Sequence, residues 1–334
     1  MALSILPFKL AIPGRAVRLL AVALTTWGVG AFYTLRVNPE IAFLHHGDAV
    51  KRAWAQKLER DYKSKIVIFG GSSCATSING ERMLERNSLP LVNLGLNAGM
   101  GAKILTRYAL HSLRTGDTLI MAMEPDLLTV PLNLEPLGVQ FSLATGNAEL
   151  LRNHGRISWP SALLDLRPGG YHTFTLLGKI AFRQPLYRYE PREFHASGWQ
   201  EVIVKREFPL PPAANLTLSK DAKELLTFIR TFCAQRGVRV AYSLPWGYRP
   251  PANRAPQQLE NLNFLYQVSE FLPVLRQPSL GVHTVRDHFA DTPWHLTTEG
   301  AALRTDELAG QIKVWETWSR TELQNPSSKL TDLQ

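Results

Sequence analysis

The feature that most constrains this chain is a repeated pattern. Short, wholly apolar runs closed by glycine alternate with stretches of helical periodicity. "IVIFGG" at residues 66–71 begins it. A continuous apolar run bounded by glycines is the signature of a strand buried on both faces. "LPLVNLGLNAG" at 89–99 and "TLIMAMEPD" at 118–126 give a second and a third strand, separated by a helix over 102–117 that Gly116 closes. Ser219 then N-caps a helix that stops at Gly237, and "VRVAYSLPW" is the next strand. "PQQLENLNFLYQVSEFLPVL", "GVHTVRD" and "TTEGAALRTDELAGQIKVWETW" read as a helix, a short strand and a closing helix. Strands alternating with helices imply βαβ units and a mainly parallel sheet. The expected fold is α/β: a three-layer, flavodoxin-like sandwich.

Residues 127–215 break this rhythm and are rich in proline, glycine and aromatics. Long irregular segments inside compact domains are usually functional, so this one is expected to be an insertion with a few short helices, acting as a lid. The α/β domain then covers residues 64–320, with a frayed tail over 321–334. Ahead of it, residues 37–63 include a charged stretch with apolar residues at helical spacing, expected to be an exposed amphipathic connector helix.

Leu19 to Leu35 is a run of seventeen residues without a charge, preceded by Lys9, Arg15 and Arg18. That length is short for a bilayer span and long for the core of a signal peptide. An uncleaved transmembrane anchor within residues 1–36 is expected, with cleavage at "VGA", residues 29–31, as the alternative. The basic flank places the N-terminus in the cytoplasm. The main domain then lies on the extracytoplasmic, or periplasmic, side of the inner membrane.

The net charge of +9 favours anionic partners, but the basic residues are spread along the chain without a like-charged block. No zinc-finger spacing or RNA-binding aromatic signature occurs, so nucleic acid is not expected as a partner. Of the two cysteines, Cys233 falls inside a helical pattern and Cys74 in the first strand-end loop; no CxxC is present, and no metal or organic cofactor is implied.

Ligands of doubly wound sheets sit at the carboxyl ends of strands. The loop Gly70–Ser73 follows the first strand, Asn97–Gly101 the second, and Glu124–Asp126 the third. Glycines there allow a sharp turn, and a serine at such a turn is either a helix cap or, with a base in reach, a nucleophile. The loop lacks the Gly-Lys-Ser/Thr of a phosphate-binding Walker loop and the G-x-S-x-G of a hydrolase elbow. Near the other end, "DHFADTPWHLTTEGA" sets Asp291 four residues before His295, ahead of a helix. Such a pair can orient an imidazole as a general base. Trp294, Trp246 and Tyr248 could either stack on sugar rings or pack in the core.

"IVIFGGSS", "VNLGLNAG" and "DTPWHLTTEGA" together resemble the first, second and fifth blocks of the SGNH (GDSL-like) hydrolase superfamily. They look closest to its membrane-anchored branch, which includes the D-alanyl transfer protein of lipoteichoic acid synthesis, and are similar in layout to the alginate O-acetylation proteins. The resemblance covers residues 64–126 and 220–318. It implies Ser73 as nucleophile, with Ser72 as the second choice of register, His295 as general base and Asp291 as its orienter. Gly71, Ser72, Gly99, Asn97, Glu124 and Trp294 would bind the oxyanion or the substrate. Two departures stand out: "MEPDLL" replaces the family's Gly-x-Asn-Asp, and the Asp-to-His spacing is one residue longer than usual. Both suit a transferase, or a binding protein on a hydrolase scaffold.

The function these features imply is a membrane-anchored serine esterase or O-acyltransferase acting on acyl groups, in the first instance acetyl, of a cell-surface or exported polysaccharide. A membrane-bound acyltransferase partner would supply the acyl donor. The alternative of another class is a non-catalytic glycan-binding or scaffold protein. A nucleotide-binding flavodoxin-like module is a third reading, in which the Asp291/His295 pair has no role.

Overall fold

The structure is a computed structural model that describes residues 14–152, 156–166, 170–203, 205–210 and 216–324. The expected stub ahead of residue 14 and the tail beyond residue 324 lie outside the described residues. Helix α1 (Gly14–Phe32) runs through a π-helical turn into α2 (Pro39–Asp61). The first α/β units follow: β1 (Ile66–Phe69), α3 (Ser72–Ser77), α4 (Gly80–Asn87), β2 (Leu91–Asn93), α5 (Ala102–Leu110) and β3 (Thr118–Met121). The insertion contributes α6 (Asp126–Thr129), α7 (Pro136–Ala144), α8 (Trp159–Leu164) and α9 (Gly170–Ala181). The chain closes with α10 (Lys220–Gln235), β4 (Arg239–Tyr242), β5 (Gly247–Tyr248), α11 (Arg254–Ser269), β6 (Val282–His283) and α12 (Thr298–Gln324).

Four strands form one parallel sheet in the order β2-β1-β3-β4, with Ile66 opposite both Leu91 and Thr118, and Thr118 opposite Arg239. Side chains alternate across a strand, and both faces of β1 are buried. Val67 and Phe69 pack with Leu58 of α2, Ile104 of α5 and Leu226 of α10. Ile66 and Ile68 pack with Met83 of α4 and with Leu308 and Ile312 of α12. This is why β1 reads as an unbroken apolar run. The short β5 and β6 pair in parallel away from the main sheet. Both cysteines are buried and free.

The expected exposed connector is instead built into the body of the protein. Asn38 caps α2 through a bond from the Glu40 N–H at 3.0 Å, and Pro39 opens the helix. Ile41, Phe43, Leu44, Trp54 and Leu58 are buried along one face. Polar residues on that face also turn inward. Asp48 accepts from the Tyr108 hydroxyl at 2.7 Å, and Lys51 Nζ donates to the carbonyls of Asn93, at 2.9 Å, and Gly198. An inward-facing Asp and Lys disguise a buried face as an exposed one.

The insertion is tied to the sheet by its own core residues. Val139, Phe141, Leu150 and Leu151 are buried, and Trp199 Nε1 donates to the Thr76 carbonyl at 2.9 Å.

Candidate active site

The loop after β1 is shaped by close approach. A Cβ on Gly70 would lie 2.1 Å from the Ala122 carbonyl oxygen, and one on Gly71 would lie 2.5 Å from Glu124 Oε2. Only glycine leaves room for β3 and its continuation to pack here. Helix α3 starts at Ser72 without a side-chain cap of its own. Its cap comes from the neighbouring strand end: Glu124 Oε2 accepts from the Gly71 N–H at 3.0 Å, and Oε1 from the Ser73 N–H at 2.9 Å. A carboxylate at a helix N-terminus satisfies amides that have no intrahelical partner. Glu124 is thus engaged as an acceptor that fixes the loop, and the amides of Gly71 and Ser73 are engaged with it.

The two adjacent serines are separated by their place on α3, where successive residues point about 100° apart. Ser73 is wholly buried, and its Oγ has no hydrogen-bond partner among the described residues. Ser72 is half-buried and lines a cleft shared with His295. With Ser73 as nucleophile the hydroxyl lies in the protein interior, whereas Ser72 is the serine that lines the cleft with His295. Cys74 is also buried, and burial pushes its thiol well above the ordinary range, with a further rise from Glu124 that nearby Lys51 opposes. A buried, protonated thiol is not a nucleophile.

Asp291 and His295 meet in a tight turn between β6 and α12. The Ala290 N–H donates to the His295 carbonyl at 2.9 Å, and Thr292 Oγ1 accepts from the His295 N–H at 3.0 Å. The turn places His295 Nδ1 2.8 Å from Asp291 Oδ1. The other Asp291 oxygen accepts from Arg188 Nη1 at 2.8 Å and from the Tyr189 hydroxyl at 2.9 Å. Burial alone would raise the Asp291 pKa. His295, Tyr189 and Arg188 outweigh it and bring the carboxyl down to about 2. An ionised Asp291 puts the ring proton on Nδ1 and leaves Nε2 as the basic nitrogen.

The cleft is small, with a cavity volume of about 20 Å³, and is lined by Ser72, His295, Asn97, Tyr187, Tyr189 and Phe43, among others. Asn97 Oδ1 accepts from the Gly99 N–H at 2.8 Å, its Nδ2 donates to Glu40 Oε1 at 3.4 Å, and its side chain is also hydrogen-bonded with Tyr187. Gly99 is therefore engaged within its own turn, and the Asn97 amide reaches the cleft already bonded to Glu40 and Tyr187. Among the described residues no acceptor engages the Ser72 N–H.

Trp294 is not among the residues lining the cleft; its ring covers Gly247, where a Cβ would come within 2.7 Å of Cζ3. Trp246 is buried and stacked on His283 at 3.5 Å between ring centroids, and Tyr248 packs on Phe289. The aromatic wall of the cleft comes from elsewhere: Tyr187, Tyr189 and Phe194 of the insertion, and Phe43 of α2. The signal for them in the sequence is the aromatic cluster "LYRYEPREF" at 186–194. No protein-family model matches the chain, and no curated protein does.

Proposed function

We propose that the protein is a membrane-anchored, extracytoplasmic serine esterase or O-acyltransferase with an SGNH-like site, in which Ser72 is the nucleophile. The observation that carries this reading is the meeting of Ser72 and His295 in one cleft, with His295 Nδ1 held 2.8 Å from a buried Asp291. Ser72 Oγ attacks the acyl carbonyl while His295 Nε2 accepts its proton. The Ser72 N–H is a donor open to the developing oxyanion, worth roughly 3 kcal/mol when well placed, and Asn97 Nδ2 joins it on release from Glu40 and Tyr187. The imidazolium, stabilised by Asp291, protonates the departing alcohol and leaves an acyl-enzyme. His295 then activates water, for hydrolysis, or a sugar hydroxyl, for transfer. The aromatic wall of Tyr187, Tyr189 and Phe43 suits a glycan acceptor.

Helix α1 with its continuation to Val37 is long and apolar enough to cross a membrane. With the basic residues ahead of it, this supports an anchor with the cytoplasm on the N-terminal side. A fluorophosphonate probe applied to the purified protein tests the activity. Labelling that is lost in Ser72→Ala and kept in Ser73→Ala supports it. Absence of labelling together with intact glycan binding would favour the non-catalytic reading.

A further inference from the structure

Helices α8 and α9, with Phe182 just after α9, turn large apolar side chains outward. Trp159, Leu164, Phe174, Leu177, Ile180 and Phe182 are each between 47 and 77% exposed. Scattered apolar residues are ordinary on a surface, but a run of this density is not. The stretch 165–190 also contains Arg167, Lys179 and Arg183, besides the Arg188 that pairs with Asp291, against Asp165 and Glu190 at its two ends. An apolar face with an excess of basic companions suits an anionic lipid surface.

Contact with α1 sets the place and the depth. Trp27 Nε1 donates to the Leu163 carbonyl of α8 at 2.9 Å. Ala31 and Thr34 are buried against the protein while Phe32 and Val37 stay exposed, so from Ala31 onward one side of α1 lies on the body of the protein, close to where the helix leaves the bilayer. Trp27 lies four residues earlier, about 6 Å along the axis at about 1.5 Å per residue. Interfacial helices bury their apolar face about 5–10 Å deep, and tryptophan favours that zone. α8 is thus bonded to α1 at interfacial depth.

We propose that α8 and α9 lie in the outer-leaflet interface of an anionic bilayer, beside α1. This rests on the membrane-anchored reading above. A few residues beyond Phe182, the same segment delivers Tyr187 and Tyr189 to the cleft wall and Arg188 and Tyr189 to Asp291. Docking therefore holds the Ser72/His295 cleft against the lipid surface, where a membrane-borne acyl donor arrives, and steadies the segment that orients Asp291.

The test uses the full chain in vesicles of phosphatidylcholine, with and without phosphatidylglycerol. Cys74 and Cys233 are buried, so an environment-sensitive thiol fluorophore reports on one introduced cysteine at a time. Phe174→Cys probes α9, Val22→Cys probes α1, and Leu259→Cys on α11 is the aqueous control. The expected result is a blue shift and several-fold stronger quenching by spin-labelled lipid at positions 174 and 22 than at 259. Quenching at 174 is expected to strengthen when phosphatidylglycerol is present. Quenching at 22 without quenching at 174 overturns the docking and leaves the anchor standing. Quenching at neither overturns the anchor, and the docking with it. A label at 174 that is shielded from aqueous iodide yet untouched by spin-labelled lipid means that a protein covers this face, which also overturns the proposal.

Discussion

Arg188 reaches from the insertion to set its Nη1 2.8 Å from Asp291 Oδ2, on the oxygen that His295 does not use. The carboxylate is thereby divided between two tasks. One oxygen orients the imidazole, and the other is held by a guanidinium and the Tyr189 hydroxyl. The insertion completes the charge arrangement of a pair that the C-terminal turn supplies.

Arg188→Ala removes a charge-assisted hydrogen bond, an interaction of about 1.5–3 kcal/mol. If it is fully expressed in the transition state, kcat/KM falls roughly ten- to a hundredfold. Arg188→Lys restores part of it. The pH dependence has a defined sign. The folded-state pKa of Asp291 is depressed to about 2, so its contribution to stability is complete above the ordinary carboxylate range and lost as pH falls towards 2. Without Arg188 the folded-state pKa rises, so the contribution is smaller and is used up at a higher pH. Acid unfolding followed by circular dichroism should shift upward in Arg188→Ala; an unchanged midpoint would contradict the role assigned to this contact.

The two serines make opposite predictions. Ser72→Ala should abolish ester turnover and probe labelling without lowering the melting temperature. Ser73→Ala removes a buried hydroxyl that has no partner. An unsatisfied buried group costs about 1–3 kcal/mol, so Ser73→Ala should hold or raise the melting temperature while labelling persists. Loss of labelling in Ser73→Ala alone would return the nucleophile to that position.

Glu124 supplies the third test. In Glu124→Gln one side-chain oxygen still accepts an amide, but the new NH2 faces a second N–H. One amide at the start of α3 then lacks its acceptor, a loss of about 1–3 kcal/mol. Thermal unfolding should show the destabilisation, and the rate of probe labelling should fall because Ser72 begins the helix that Glu124 anchors. A variant with unchanged stability and labelling would mean that the loop holds its shape without the carboxylate.

These contacts mark what a sequence can and cannot convey. The apolar run Ile66–Phe69 and the Asp291/His295 spacing are local patterns, and the structure places them as a buried central strand and a bonded pair. The choice between Ser72 and Ser73 depends on a rotation of about 100° per residue, which glycine spacing does not reveal. The role of Glu124 depends on which strand neighbours β1, and that of Arg188 on an insertion folding back across roughly a hundred positions. Helix α2 was misleading because Asp48 and Lys51 satisfy themselves inward against Tyr108, Asn93 and Gly198. Periodicity records hydrophobic faces, not polar groups that find partners inside.

Lys51 carries the last prediction. It is fully buried, its ammonium donates to the Asn93 and Gly198 carbonyls and lies 5.4 Å from the Phe194 ring centroid, and burial lowers its pKa to about 7, partly opposed by Cys74 and Asp48. In the unfolded chain a lysine releases its proton near pH 10.4. Below pH 7 both states are protonated and the desolvation penalty on the folded state is complete. Between about pH 7 and 10 the unfolded chain binds more protons than the folded one, so stability rises with pH, at a slope approaching 1.4 kcal/mol per pH unit. Lys51→Met removes the titrating group, although it also leaves two carbonyls without their donor. Denaturant unfolding at pH 6.5 and pH 9.5 should therefore show wild type gaining stability over Lys51→Met as pH rises. A difference between the two proteins that stays constant across that window would mean that Lys51 keeps an ordinary pKa in the folded state.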